Sequence, residues 1–420
     1  MQSSCGYASA VGFALLLGSP ALAQNCYQSH SNCFTFGPPE GAEAAKFNTE
    51  NLLQLRSQRL TIEGDLRLRV RSGDAPNSEV YNGRADQQAF RGRLRARFQA
   101  TEQISALAEY NFSETWGGSE SYSDALAGEN FNKMAQFYVA AEDLFGFGDR
   151  WRIGRSEYIL GNGLILGSCD FLQRPGTFTG AWFAHALQEH QFELFVFDDR
   201  GPLQALHPAV RYTGGTADFV LGKHTREWIG HVKPYVLVGT SSGDEFTTPP
   251  ANPTEEDLWI GLDASGTLPG GFAWFGEVAN RDVNDAEDRL AWRATLTKEL
   301  EWFDGVVKDA SLRVTDAEGK MDVGNPADFN SAGLLHQYGG AWRSDLQTVQ
   351  LGTRLEPGLG ITADITLMSL NARDAAVQLG KRELNVVLGR AFPSGIYASI
   401  GYGIDNDRRQ VGYGALTLNF

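Results

Sequence analysis

Leu60-Thr61-Ile62-Glu63-Gly64-Asp65-Leu66-Arg67-Leu68-Arg69-Val70-Arg71 decides the fold. Leu60, Ile62, Gly64, Leu66, Leu68 and Val70 fall at one parity; Thr61, Glu63, Asp65, Arg67, Arg69 and Arg71 fall at the other. A strand turns successive side chains to opposite sides, so this segment has one apolar face and one highly charged face. The segment Phe90–Thr101 repeats the device. Phe90, Gly92, Leu94, Ala96, Phe98 and Ala100 oppose Arg91, Arg93, Arg95, Arg97 and Gln99.

The same two-residue rhythm runs to the last residue. Ile104, Ala106, Ala108, Tyr110 and Phe112 oppose Glu109, Asn111 and Ser113. Leu290, Trp292, Ala294 and Leu296 oppose Arg293, Thr295 and Thr297, and Val349, Leu351 and Leu355 oppose Gln350, Arg354 and Glu356. About 18 such segments are read between Arg59 and Phe420, each of roughly 9–12 residues, enough to cross a bilayer when tilted. The connectors alternate in length: Gln99–Gln103, Pro357–Gly360 and Phe392–Gly395 are tight, while Gly73–Gln88, Trp116–Asn132, Ser241–Glu256 and Lys320–Tyr338 are long and polar. The expectation is an all-β transmembrane antiparallel barrel of about 18 strands over residues 59–420, with long extracellular loops and short periplasmic turns. Leu416-Thr417-Leu418-Asn419-Phe420 resembles the terminal assembly signal of such barrels.

Composition agrees. The chain has 420 residues, a net charge of −15, 48 Gly and 15 Pro. The acidic balance argues against nucleic-acid binding. Val11–Leu17 is a short apolar run, followed by Pro20 and Ala21-Leu22-Ala23. That pattern predicts a signal peptide over 1–23. Residues 24–58 read as a periplasmic extension with a short helix near Thr49–Arg56. Cys26 and Cys33 are close enough to form a local disulfide in an oxidising compartment, and Cys169 reads as a small buried residue.

Charge placement carries the functional expectation. Of 36 Lys+Arg, eight are Lys and 28 are Arg. Arg67, Arg69, Arg71, Arg91, Arg93, Arg95 and Arg97 share the polar face of two strands expected to be neighbours. Arg152, Arg211, Arg293, Arg313 and Arg354 are assigned to the same lumen. Glu63, Asp65 and Glu109 offset the cluster, and the remaining acid is expected mainly in outer loops, as at Glu255, Glu256, Asp257, Asp282, Asp285, Glu287 and Asp288. Like charges this close repel unless carboxylates or a ligand compensate. A salt-bridged barrel interior and an anion-attracting conduit both fit, and rings of basic side chains are a known way to select anions.

Residues 150–182 carry a resemblance. Gly154-Arg155-Ser156-Glu157, then Gly161, Gly163-Leu164-Ile165-Leu166-Gly167, Asp170, and Phe178-Thr179-Gly180 resemble the signature of the alginate-export family. Gly154, Arg155, Glu157, Asp170, Phe178 and Gly180 match it; Ser156 and Thr179 depart from it. The resemblance implies a monomeric 18-strand outer-membrane barrel with an electropositive constriction that passes an acidic exopolysaccharide outward. Expected partners are outer-membrane lipid, an anionic polysaccharide and a periplasmic export scaffold. The alternative function is an anion-selective porin for small acidic solutes or oligosaccharides. Alternation alone puts Arg155 with Trp151 and Ile153 on the lipid side, so either a bulge shifts the register near Gly154 or Arg155 lies close to the rim; the bulge is preferred, with Arg155 and Glu157 paired or turned inward. Trp151, Tyr158, Trp182, Trp228, Trp259, Trp274, Trp292, Trp342, Tyr397 and Tyr402 are assigned to interfacial girdles. His30, His185, His190, His207, His224, His231 and His336 stand in no nucleophile motif, so neither catalysis, a cofactor nor a metal is expected.

Overall fold

A computed structural model describes residues 59–74, 86–118, 131–161, 163–166, 177–199, 210–225, 228–241, 256–283, 289–320, 344–372 and 382–420. The expected signal peptide, the 24–58 extension, Cys26, Cys33, Cys169, Asp170 and Trp342 lie outside the described residues.

Eighteen strands follow one another: β1 (Leu60–Gly73), β2 (Gln87–Gln99), β3 (Ile104–Gly118), β4 (Phe131–Glu142), β5 (Asp149–Ser156), β6 (Phe178–Leu187), β7 (His190–Asp199), β8 (Val210–Val220), β9 (His231–Ser241), β10 (Glu256–Leu268), β11 (Phe272–Val283), β12 (Arg289–Trp302), β13 (Val307–Lys320), β14 (Ser344–Gly358), β15 (Ile361–Ala372), β16 (Arg382–Ala391), β17 (Ile396–Asp405) and β18 (Gln410–Asn419). Every consecutive pair is antiparallel. β1 also pairs with β18 from Asp65↔Asn419 to Gly73↔Val411, which closes the barrel. Closure leaves no strand edge, the condition under which a sheet can stand in hydrocarbon. Phe420 extends the seam: its N–H donates to the Gly64 carbonyl at 2.9 Å, and the Gly64 N–H donates back to the Phe420 carbonyl at 2.7 Å.

Burial is inverted relative to a soluble protein. Leu68 and Val70 are 47% and 54% exposed, while Arg67 and Arg69 between and beside them are 1% and 2% exposed. Phe137, Ile153, Leu194, Ile260, Leu351 and Ile400 also point outward, and Glu109, Asn111, Arg293, Arg313, Gln350 and Glu383 inward. This apolar exterior is that of a barrel seated in an outer membrane.

The turns 100–103, 143–148, 188–189, 269–271, 303–306, 359–360 and 392–395 all lie at the end that carries Leu60 and Phe420. That end is the periplasmic one, where such barrels keep their short turns. Local chemistry sets where strands stop. Thr101 Oγ1 accepts from the backbone N–H groups of Gln103 and Ile104 at 3.2 and 3.0 Å, so the second strand ends at Gln99 and not at Thr101.

Candidate permeation site

The register of β1, β2 and β3 places the arginines on one wall. Asp65 faces Arg93, Glu63 faces Arg95, Thr61 faces Arg97 and Arg67 faces Arg91; on the other side Arg95 faces Glu109. Among the described residues, the lumenal side of these strands carries seven guanidiniums, Arg67, Arg69, Arg71, Arg91, Arg93, Arg95 and Arg97, and three carboxylates, Glu63, Asp65 and Glu109, a difference of four charges.

Glu63, Asp65 and Glu109 hold four of these arginines, Arg91, Arg93, Arg95 and Arg97. Toward the periplasm, Asp65 takes Arg91 at 3.1 Å and Arg93 at 2.5 Å. Glu63 lies 3.2 Å from both Arg95 and Arg97, and Arg95 Nε donates to Glu109 at 2.8 Å. Toward the outside, the register positions beside Arg67, Arg69 and Arg71 are Thr417 and Arg91, Ala415 and Ala89, and Tyr413 and Gln87, with no carboxylate among them. From Arg71 to Thr61, the partner of Arg97, is ten residue steps on β1. At ~3.4 Å per step and ~40° of tilt, the ladder rises about 26 Å, close to the ~25 Å apolar band of such barrels.

The other expected lumenal arginines divide. Arg293 meets Glu277 at 3.1 Å and Arg354 meets Asp364 at 2.8 Å. Arg313 donates to Thr295 Oγ1 at 3.3 Å. Arg152 lies between the Tyr138 and Trp182 rings, 4.8 and 5.3 Å from their centroids. Such cation–π contacts hold a guanidinium without cancelling its charge. Arg211 does not face the lumen. It shares parity with outward Thr213, its side chain is 62% exposed, and it pairs with Asp198 at 2.9 Å on the outer face. Asp257, expected in an outer loop, is instead lumenal and bound to Arg281 at 2.5 Å.

The bulge expected near Gly154 is absent. Pairing runs without a shift from Phe137↔Arg155 to Glu142↔Arg150 and from Asp149↔His185 to Ser156↔Phe178. Arg155 therefore stays on the outer face between Phe137 and Thr179, with its Nε donating to Thr177 Oγ1 at 2.9 Å. Glu157, past the strand end, does turn inward and accepts from Gln136 Nε2 at 3.3 Å. Gly154 earns its place sterically. It has φ +132°, and a Cβ there would lie 2.2 Å from the Phe137 carbonyl oxygen. Opposite it, a Cβ on Gly180 would lie 1.9 Å from the Val196 carbonyl oxygen.

Residues 157–161 and 163–166, the described part of the connector after β5, fold into the bore. Leu160, Ile165 and Leu166 are fully buried and pack in one cluster with lumen-facing Leu237, Trp259, Ala279, Ala291 and Ala317. Tyr158 packs at a tilt against Phe195 and Phe197, with ring centroids 4.7 and 4.9 Å away, and its hydroxyl donates to Glu193 at 3.3 Å. Gly161, at φ +59°, seats against the Glu277 carboxylate, the Tyr235 ring and Asp263; a Cβ would lie 2.5 Å from Glu277 Oε1. The segment 157–166 is thus docked on the wall of β7–β13, and β10, nine strands along the ring from β1, lies across the bore from the ladder.

Four of the girdle assignments are corrected, three of them at residues of this dock. Tyr158, Trp182, Trp259 and Tyr397 are 1–9% exposed and lumenal. The parity of their neighbours explains it: Trp259 alternates in step with Asp257 and Asp263, and Tyr397 with Ser399 and Asp405. Trp228 and Tyr402 are outward and exposed, and Trp274 Nε1 donates to the Trp228 carbonyl at 2.7 Å near the periplasmic rim. Glu193, Asp263, Glu277, Tyr138 and Tyr235 were not singled out by sequence, although each has the polar-face parity of its strand.

No protein-family model and no curated protein matches the chain. Solved structures do. A BenF-like porin from Pseudomonas fluorescens Pf-5 is 11% identical with a TM-score of 0.62, covering 86% of this chain and 98% of that one. The outer membrane protein OpdK from Pseudomonas aeruginosa is 12% identical with a TM-score of 0.58, over 86% and 98%. OpdK with vanillate is similar at 14% identity and a TM-score of 0.56, over 86% and 98%. The likeness is one of fold: a closed 18-strand outer-membrane porin barrel. None of these comparisons supports the alginate-export resemblance of residues 150–182.

Proposed function

We propose that this protein is a passive outer-membrane channel that admits small acidic solutes, carboxylates above all, along its arginine wall. The observation that carries the reading is the continuous ladder from Arg71 to Arg97, with four more positive than negative charges among the lumen-facing residues of β1–β3. Guanidinium stays charged and offers a planar fork that suits a carboxylate. Glu63, Asp65 and Glu109 take up part of the charge of the ladder. Conduction needs attraction strong enough to admit and weak enough to release, and arginines interleaved with carboxylates supply both.

The porin neighbours support this reading over polymer export, and one of them was solved with vanillate, a small carboxylate. The 157–166 segment in the bore points the same way, because it narrows the space a hydrated polysaccharide would need. Liposome swelling with small mono- and dicarboxylates, alongside neutral solutes of equal size, tests the proposal. Faster swelling with the acids is expected. Equal rates, or passage of polyuronate chains in preference to small acids, would reject it.

A further inference from the structure

We propose that Tyr138 is the residue by which this channel tells a carboxylate from a halide, its hydroxyl donating to the solute beside the last rung of the ladder. The inference rests on the acidic-solute reading above and adds a contact to it. β4 ends at Glu142, so Tyr138 lies near the turn 143–148 at the periplasmic end, and it shares the lumenal parity of Gln136 and Ala140. Its register neighbours are Leu107 on β3, which in turn faces Arg97 on β2, and Gly154 on β5. Neither Leu107 nor Gly154 has a side-chain acceptor. Tyr138 is 1% exposed, and its hydroxyl makes no hydrogen bond among the described residues. A buried O–H without an acceptor is costly, and a group that comes and goes is one way to satisfy it.

The surroundings supply donors and withhold acceptors. The guanidiniums of Arg152, Arg97 and Arg95 and the Glu157 carboxylate lie within electrostatic reach of the hydroxyl. Arg152 covers the ring, 4.8 Å from its centroid. Arg97 Nε is buried without a hydrogen-bond partner, and Arg97 Nη2 stands 3.2 Å from Glu63. The carboxylates nearby are engaged by other groups: Glu109 by Arg95 and Gln136, and Glu157 by Gln136. An O–H and an Nε–H thus stand on either side of Leu107 with no oxygen to receive them. A carboxylate brings two oxygens, one for each donor. A halide is held chiefly by charge, which the hydroxyl does not change. The Arg97 side chain, 24% exposed, meets the bore, and its movement off Glu63 toward the solute opens the hydroxyl beneath.

The test is block of single-channel potassium chloride current by benzoate in a planar bilayer, with the full-length barrel refolded and its fold checked by heat-modifiable electrophoretic mobility. Tyr138→Phe removes one oxygen and no charge. It should raise the benzoate concentration for half-block about tenfold, as expected for a hydrogen bond to a charged acceptor. The reversal potential in a potassium chloride gradient should stay where it is. Benzamide, neutral and of the same shape, should block both proteins weakly and equally. Should Tyr138→Phe fail to fold, Arg97→Lys decides: it keeps the charge and loses the Nε–H, so half-block should again need more benzoate at an unchanged reversal potential. Equal benzoate block of wild type and the folded variant overturns this proposal and leaves the acidic-solute reading standing. A moved reversal potential in Tyr138→Phe also overturns it, because a hydroxyl that merely orders the ladder would have that effect. A wild type that benzoate fails to block overturns it too, and one without anion preference overturns the acidic-solute reading beneath it.

Discussion

Removing two rungs of the ladder should cut the anion preference of the channel by about half. Arg93 and Arg97 are chosen because their side chains keep 15% and 24% of their exposure, so they meet the water of the bore. The wall of β1–β3 has four surplus charges, and the double substitution Arg93→Gln/Arg97→Gln leaves two. Four charges acting at about 10 Å, roughly the reach from the guanidiniums to the axis of an 18-strand barrel, give ~1.7 kcal/mol on a monovalent ion at the dielectric constant of water. Screening over a Debye length of ~8 Å reduces this to about 0.5 kcal/mol. An anion gains that amount and a cation loses it, so the preference is about fivefold. With two charges left it becomes roughly twofold. The assay is the reversal potential of single channels in a planar bilayer under a salt gradient. It should move toward zero in the variant and should move less at high salt. An unchanged reversal potential, or a shift toward stronger anion preference, would refute the reasoning.

Glu109→Gln removes a fully buried carboxylate beside Arg95, so one more charge is unmasked near the periplasmic end; carboxylate block of the current should last severalfold longer, read from single-channel dwell times. Gly154→Ala forces a side chain into φ +132° and against the Phe137 carbonyl; a loss of about 1–3 kcal/mol is expected, measured as a shift in the urea midpoint of the refolded barrel. Leu160→Asp buries a charge in the apolar dock of the 157–166 segment and should release it, raising single-channel conductance while strand content by circular dichroism stays unchanged. Arg155→Gln should leave ion selectivity untouched, because Arg155 lies on the outer face.

The fold was legible because a strand of a membrane barrel writes both its surroundings into alternate residues. Arg67, Arg69 and Arg71 against Leu68 and Val70 cannot be satisfied in any other way, and β1 and β2 meet as their patterns require. Alternation also gives only relative faces, which is why Arg155, with Ile153 on its parity, reads correctly as outward once no bulge intervenes. Tyr158, Trp182, Trp259 and Tyr397 were misplaced for a different reason. An aromatic ring suits a lipid interface and a packed lumen equally well, so residue type could not override the parity that Asp257, Asp263 and Ser399 set.

The infolded connector left a signal of its own. A solvated loop has no use for Leu160, Leu164, Ile165 and Leu166, so this run between glycines implies a buried seat. Where that seat lies could not be read, because its other half comes from Leu237, Trp259, Ala279 and Ala317, distant in sequence and united only by closure of the barrel. Ion pairing was similarly half-visible. The pairings of Asp65 and Glu63 with their arginines and of Arg293 with Glu277 follow from the registers of consecutive strands, whereas the Tyr235 hydroxyl reaches Glu277 past the intervening β10, which no hairpin specifies.

The claim beneath all of this is that the arginines of β1 and β2 line one aqueous bore while their alternate neighbours meet lipid. Single cysteines at Arg95 and Leu94, in a background whose native cysteines are replaced, test it directly. A membrane-impermeant cationic thiol reagent should react with Arg95→Cys in the reconstituted channel and change its current, and should leave Leu94→Cys untouched. Modification of Leu94→Cys from the aqueous phase, with Arg95→Cys protected, would contradict it.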